Sequence, residues 1–203
     1  MENISAFLSR DLSGPRIRVG VLGDAMVDEY YDVSVKKLSQ ESPIPVARTP
    51  FDAPASLPGG AANVAYQFVN FNVDARLFSL ADRPATHVFA YHGLNVDGCR
   101  IIGSDVPRKK RFFADNHPLF RWDVEGRDYH MKPDDLAGAC RDVYGSVLAA
   151  EGQLDCLILT DYDKGVFNHL DGSVFGAAPI TIVDPKDGDF RRWRGRSEEH
   201  TSE

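Results

Sequence analysis

The chain lacks what a membrane protein, a nucleic-acid binder or a disulfide scaffold would need. No apolar run approaches the roughly 18 residues of a spanning helix. The first residues, "MENISAFLSRDLSGPR", carry charges and no apolar h-region, so they do not read as a signal peptide. Cysteines number only three (Cys99, Cys140 and Cys156), widely spaced and without a CxxC. They read as reduced, mostly structural thiols, not as a disulfide frame or a zinc site. Positive charge is also short: 23 Lys and Arg against 30 Asp and Glu give a net charge of −7. Its one compact basic run, "RKKR" (Arg108–Arg111), is brief and embedded in strand-like sequence, which argues against a nucleic-acid surface. The expectation is a soluble, acidic, cytoplasmic protein with no nucleic-acid or membrane partner.

Catalytic signatures are absent too. There is no GxxxxGK[ST], no GxGxxG and no GxSxG. There is no HExxH either; His87 and His92 are five apart, and the other histidines are isolated. No residue is therefore assigned as a metal ligand, and hydrolase or Rossmann-type dehydrogenase chemistry has no support.

What is present is α/β patterning over 203 residues, enough to bury a sizeable core. "IRVGVLGD" (Ile17–Asp24), "DCLILTD" (Asp155–Asp161) and "ITIVDPK" (Ile180–Lys186) are apolar runs ending in charge, as central parallel strands are. "DARLFSLAD" (Asp74–Asp82) reads as another strand, and "PATHVFAYHGLNV" (Pro84–Val96) as a helix. After the glycine pair of "LPGGAANVAYQF", Val64, Phe68 and Phe71 recur at helical spacing and predict a helix that buries that face. Pro133 opens the clearest helix, with Asp134 and Asp135 in its first turn and Leu136, Cys140, Val143 and Val147 as its apolar stripe. The stretch "MVDEYYDVSVKKLSQESPIPVART", with prolines at 43 and 45, reads as edge strands of a small exposed sheet. "CRIIGS", "RKKRFFAD" and "PLFRWDVEG" read as three short strands, the last two joined by an "ADNHP" turn. Strands alternating with helices imply an α/β fold with a mostly parallel sheet and a smaller, projecting sheet.

In such a fold, ligands bind beyond the carboxyl ends of the strands. Three strands end in acidic clusters: "GDAMVD", "DYDKG" and "DPKDGD". Singly, each reads as a helix cap or an Asx-turn. Together they point to a ligand site.

"VLGDAMVDEYY", "LSQESPIPV", "LPGGAANVA", "LFRWDVEG", "LILTDYDKG" and "VDPKDGDF" occur in this order. As a set they resemble the ribokinase-like (PfkB) sugar kinases. More narrowly they resemble the D-glycero-D-manno-heptose 7-phosphate kinases, often the first half of a bifunctional ADP-heptose synthase. The resemblance runs from about residue 16 to 195. It implies a mostly parallel sheet flanked by helices, with a small β-sheet lid from strands within about 29–57 and 108–125. It also implies ATP and Mg2+, a sugar phosphate as substrate, a product feeding surface glycans such as lipopolysaccharide, and a homodimer paired through the lid.

Roles carry over to matching positions. Asp28 stands where the family holds sugar hydroxyls, and a carboxylate that accepts two of them discriminates polyols well. Asp24 is its neighbour in the site or a turn former. Gly59 and Gly60 would admit the sugar and flex with the lid, and Asn63 would offer its amide to a hydroxyl or bond the helix start. Lys110, Arg111 and Arg121 lie on the lid. Arg121 is the expected phosphate contact, since a guanidinium fork suits phosphate, with a solvated lid charge as its other reading. Lys164 would hold the same phosphate or orient the sugar, and Asp161 starts its turn in a binding or a structural role. On the nucleotide side, Lys186 would face the ATP phosphates with Asp184 orienting it.

Two departures stand out. The family's G-x-D-x-x-G turn is "ADRPATHVFAYHG" here, and Asp163 sits where a small residue is usual. The family's N-x-x-E and G-A-G-D segments, the latter with the catalytic base, would follow "DPK" and do not occur, so no catalytic residue is assigned. The chain is accordingly expected to be incomplete at its C-terminus and inactive alone. Its last residues, "RSEEHTSE" (196–203), match an in-frame translation of a common sequencing adapter, and residues 196–203 are expected to be a non-native tail.

Overall fold

A computed structural model describes residues 16–49, 54–125, 127–170, 172–186, 193 and 198–199. The N-terminal segment, the end of "DPKDGDF" and most of the "RSEEHTSE" stretch lie outside them.

The main sheet is wholly parallel. Strand β1 (Ile17–Gly23) lies between β6 (Val73–Phe78) and β11 (Cys156–Thr160), and β12 (Ile180–Asp184) follows β11. A two-residue strand, β13 (Glu198–Glu199), pairs with β12 within the stretch expected to be a non-native tail. The predicted continuous apolar runs are the inner strands: Val21, Leu22, Leu157, Leu159 and Val183 are fully buried. β1 and β11 run so close that a methyl group at Gly23 would meet the carbonyl of Thr160. No helix among the described residues is long and apolar enough to cross a membrane.

Helix α3 (Pro133–Ala149) has Pro133 at its start and Asp134 and Asp135 in its first turn, and it buries Leu136, Cys140, Val143 and Val147 as its pattern predicts. Helix α2 (Arg83–Tyr91) begins at an Asp82 cap and stops at Tyr91, short of the predicted Val96.

Helix α1 (Ala61–Tyr66) corrects the periodicity reading. It has six residues and buries Ala61, Ala62 and Ala65. Val64 and Phe68 are only half-buried, and Phe71 is 69% exposed. The small alanines let the helix sit against its neighbours, so the larger side chains lie at its margin. "DARLFSLAD" is likewise not one strand. It breaks at Ser79, whose hydroxyl donates to the Gly23 carbonyl at 2.6 Å and accepts from the Ala25 N–H at 3.0 Å, before β7 (Leu80–Ala81) pairs with β8 (Arg100–Ile101).

The second sheet has the order β10 (His117–Val124), β9 (Arg108–Ala114), β2 (Ala25–Asp32), β5 (Ala55–Gly60). β2 is thus an interior strand, not an exposed edge. It continues straight from β1, so Ala25, Met26 and Val27 stay buried while its far end emerges. The proline-rich part forms a separate exposed hairpin, β3 (Ser34–Leu38) with β4 (Pro45–Arg48). β9 and β10 are joined as predicted at Asp115 and Asn116. Both have left-handed backbone (φ 48 and 65), the conformation that the tightest hairpin turns require.

Candidate functional site

The carboxyl ends of β1 and β11 converge on one carboxylate. Asp24, just past β1, is fully buried, and its oxygens accept four hydrogen bonds. Oδ2 takes the N–H groups of Tyr162 and Lys164 at 3.0 and 3.2 Å, and Oδ1 takes the N–H of Val166 at 3.0 Å and the Tyr129 hydroxyl at 3.1 Å. Alternate amides of the "DYDKG" loop therefore all aim at Asp24. Burial pushes its carboxyl above the usual carboxylate range, against the pull of those three backbone donors. The Tyr129 phenol is pushed well up, by burial and then by the adjacent carboxylate. Of the two roles open to Asp24 in the sequence, the geometry selects turn former, and the turn it forms is a distant one.

Asp161 completes the loop: its carboxylate accepts the Asp163 N–H at 2.9 Å, and its own N–H donates to the Asp184 carbonyl at 2.9 Å. Asp163 is left-handed (φ 56), a conformation that Asp tolerates through such local bonds. α3 holds the far side, where Tyr144 donates to the Val166 carbonyl and the Cys140 thiol lies 3.7 Å from the Gly165 carbonyl. Lys164 is thereby fixed with its ammonium 3.0 Å from Glu125, at the end of β10.

The second sheet faces this loop. Paired residues share a face of a sheet and successive ones alternate. Asp28, Lys109, Arg111, Arg121 and Asp123 therefore lie on one face. Lys109 Nζ stands 5.9 Å from the centre of the Tyr162 ring, which sets that face towards the "DYDKG" loop. Asp28 is held by Arg111 at 3.0 Å, and Arg121 by Asp123 at 2.8 Å.

The glycine pair lies at the root of this sheet. Gly60 has φ 55, and a side chain there would meet the Asp24 carbonyl, which also accepts the Ala61 N–H at 3.0 Å. Glycine at 60 is required by the chain's own backbone. At Gly59, which is buried, an added carbon would meet Met26 first, its Cγ at 3.0 Å and its carbonyl at 3.2 Å, and then the Asp28 carboxyl carbon at 3.3 Å, so glycine lets β5 lie close against β2 here. Asn63 is exposed on α1 and accepts from Gln67 at 3.0 Å. Asp184 is half-buried at the end of β12, and Lys186 is exposed two residues on.

The structure thus brings Gly60, Asp161 and Lys164 to the ends of β1 and β11, with Asp184 joined through the Asp161 amide. Asp28 and Gly59 stand on the second sheet, and Arg121 lies on its outer strand, mostly exposed and paired with Asp123. Sequence reasoning missed Tyr129 and the pairing of Arg111 with Asp28. Strand alternation would have placed 109, 111, 121 and 123 on one face, but not which face looked inward. The unusual "ADRPA" turn also has a physical account. Asp82 accepts the Ala85 N–H at 2.6 Å, the Val106 N–H at 2.9 Å and Arg108 Nη2 at 2.9 Å, so a cap and an ion pair hold the turn without glycine. Arg108 also reaches Glu29 at 3.3 Å, tying the opposite face of the second sheet to α2.

A parallel sheet with a small second sheet projecting over its carboxyl ends is the ribokinase-like α/β fold. Escherichia coli phosphofructokinase-2, solved in complex with fructose-6-phosphate, matches with a TM-score of 0.59 at 16% identity, covering 85% of this chain and 55% of that one. Arabidopsis thaliana ribokinase, complexed with ribose and ATP, matches with a TM-score of 0.51 at 15% identity, covering 84% and 54%. In sequence the chain is homologous to bifunctional HldE proteins: 33% identical over 195 residues to that of Halorhodospira halophila, 31% over 189 to that of Actinobacillus succinogenes and 29% over 189 to that of Proteus mirabilis. Each match covers 89% of this chain and 38% of the relative. No family model matches the chain.

Proposed function

We propose that this chain forms the sugar-recognition part of a carbohydrate kinase that transfers the γ-phosphoryl group of Mg·ATP to the anomeric hydroxyl of D-glycero-D-manno-heptose 7-phosphate, for ADP-heptose synthesis. The carrying observation is the Asp28 carboxylate on a sheet face that carries Lys109, Arg111 and Arg121 towards the "DYDKG" loop. A carboxylate next to cations suits a polyol that ends in phosphate. Homology to HldE proteins supports heptose phosphate as the sugar. In this reading the second sheet is a lid, Asn63 and Asp161 line the sugar, and Lys164 orients it. Asp184 and Lys186 stand on the nucleotide side.

Among the described residues no group of three or more His, Cys, Asp or Glu side chains converges as metal ligands do. Mg2+ enters this reading with ATP, as part of the substrate. Phosphoryl transfer rests on positioning and electrostatic stabilisation, and the residues named here supply positioning.

The lid also carries the proposed homodimer contact. On its face opposite Asp28, Tyr31, Phe112 and Phe120 stack at 4.7 and 4.4 Å, and Phe120 and Trp122 remain 53% and 56% exposed.

Calorimetric titration with a sugar-phosphate panel tests the reading. Heptose 7-phosphate should bind most tightly; preference for an unphosphorylated hexose would sink it. Tightest binding of fructose 6-phosphate would favour a related kinase for another sugar. Sugar-phosphate binding without ATP turnover in a longer protein would favour a non-catalytic binding protein.

A further inference from the structure

The carboxylate assigned to the sugar already has one oxygen taken. Asp28 Oδ1 accepts Arg111 Nη2 at 3.0 Å, with the two side chains only 19% and 25% exposed. Arg111 has a second contact, since its guanidinium carbon lies 5.8 Å from the centre of the Tyr30 ring. Directly across the ladder from Arg111 stands Arg121, on the same face. Two cations opposite each other repel, and here each is quenched by its own aspartate.

We infer that the Asp28–Arg111 ion pair is a specificity gate, opened by the phosphate group of the substrate. The inference rests on the sugar-phosphate reading above. A phosphate monoester brings up to two negative charges and three acceptor oxygens, against the single charge of a carboxylate. Seated between Arg111 and Arg121, it draws Arg111 from Asp28 and relieves the repulsion between the two guanidiniums. Asp28 is then free to accept sugar hydroxyls. An unphosphorylated sugar reaches both Asp28 oxygens in full only by breaking the same pair with nothing to replace it, so it is held less well although it makes no direct clash. Arg111 is on this account a specificity-determining residue, and Arg121 completes the seat.

Coupling of this kind is reciprocal, which gives a test on the unaltered chain. Inorganic phosphate, at matched ionic strength, should tighten binding of the unphosphorylated heptose by roughly fivefold or more, the scale of ordinary linkage. Independence or competition between the two would overturn the gate. A second test uses inorganic phosphate alone. Asp28→Asn should raise its affinity by about tenfold by releasing Arg111, and adding Arg111→Met should erase that gain. A gain that survives in the double variant reflects only the lost negative charge and would overturn the gate. The two readings separate cleanly. Loss of all sugar binding with the phosphate gain intact would sink the sugar-phosphate reading and leave the anion seat standing. Binding of heptose 7-phosphate with neither coupling nor gain would sink the gate alone.

Discussion

Tyr129 donates its hydroxyl to Asp24 at 3.1 Å inside the core, joining residues 105 positions apart. Both are fully buried, and the same carboxylate gathers three backbone amides of the loop that presents Lys164.

Asp24→Asn should therefore be among the most damaging single changes. The amide offers one oxygen to four donors and turns its own N–H groups against them. The expected loss is about 3–5 kcal/mol, with Tyr129→Phe, which removes one neutral donor, costing only about 1–2 kcal/mol. Urea unfolding would measure both, and equal costs would refute Asp24 as the hub.

Glycine positions should differ sharply. Gly23→Ala drives a methyl group into the Thr160 carbonyl across the β1–β11 pair, whereas at Gly103 an added carbon meets nothing within 4 Å. We expect a loss of about 3 kcal/mol or more, or insoluble protein, for the first, and a change within about 0.5 kcal/mol for the second. Thermal melts of the two variants side by side would decide.

The two arginine pairs on opposite faces of the second sheet should also behave differently. Arg108→Met leaves Glu29 and Asp82, 8% and 4% exposed, without their shared cation. That should cost about 3–5 kcal/mol, while breaking the Arg121–Asp123 pair, whose arginine is 56% exposed, should cost less than about 1 kcal/mol. Chemical denaturation of Arg108→Met and Arg121→Met gives the comparison; a larger effect at 121 would contradict it.

Thiol chemistry should follow burial. Desolvation raises both Cys99 and Cys140 from 9.0 to about 12. At pH 8 their thiolate populations should be lower by roughly a thousandfold than those of free thiols, so alkylation followed by mass spectrometry should find the buried Cys140 nearly inert and the half-buried Cys99 slow. The sign for stability follows. Both groups favour the folded, neutral form, so their contribution is complete below pH 9 and is lost as pH rises from there towards 12. Rapid labelling of either thiol in the folded chain would count against the packing described.

Patterns one element long were legible in the sequence. The stripe of Leu136, Cys140, Val143 and Val147 is buried as its spacing requires, and "CLILT" and "ITIV" are inner parallel strands. Periodicity ranks large apolar residues above alanine and so points to the wrong face of α1, whereas close packing at the root of the second sheet selects the alanines. The interior place of β2 is not legible locally, because its neighbours β5 and β9 come from other parts of the chain. The aspartates of the site were visible as strand-end clusters, but their division of labour was not.

The sequence by itself determined the parallel α/β class, the turn at Asp115–Asn116 and the set of acidic strand ends. These follow from local backbone preference and the period of burial, which neighbouring residues impose on one another. Only the tertiary structure decided that Asp24 serves the loop at 161–166, that Gly60 yields to the chain's own carbonyl, and that Asp28 rests on Arg111. Those are contacts between residues up to 142 positions apart, and a buried carboxylate takes whichever donors the packed chain brings to it.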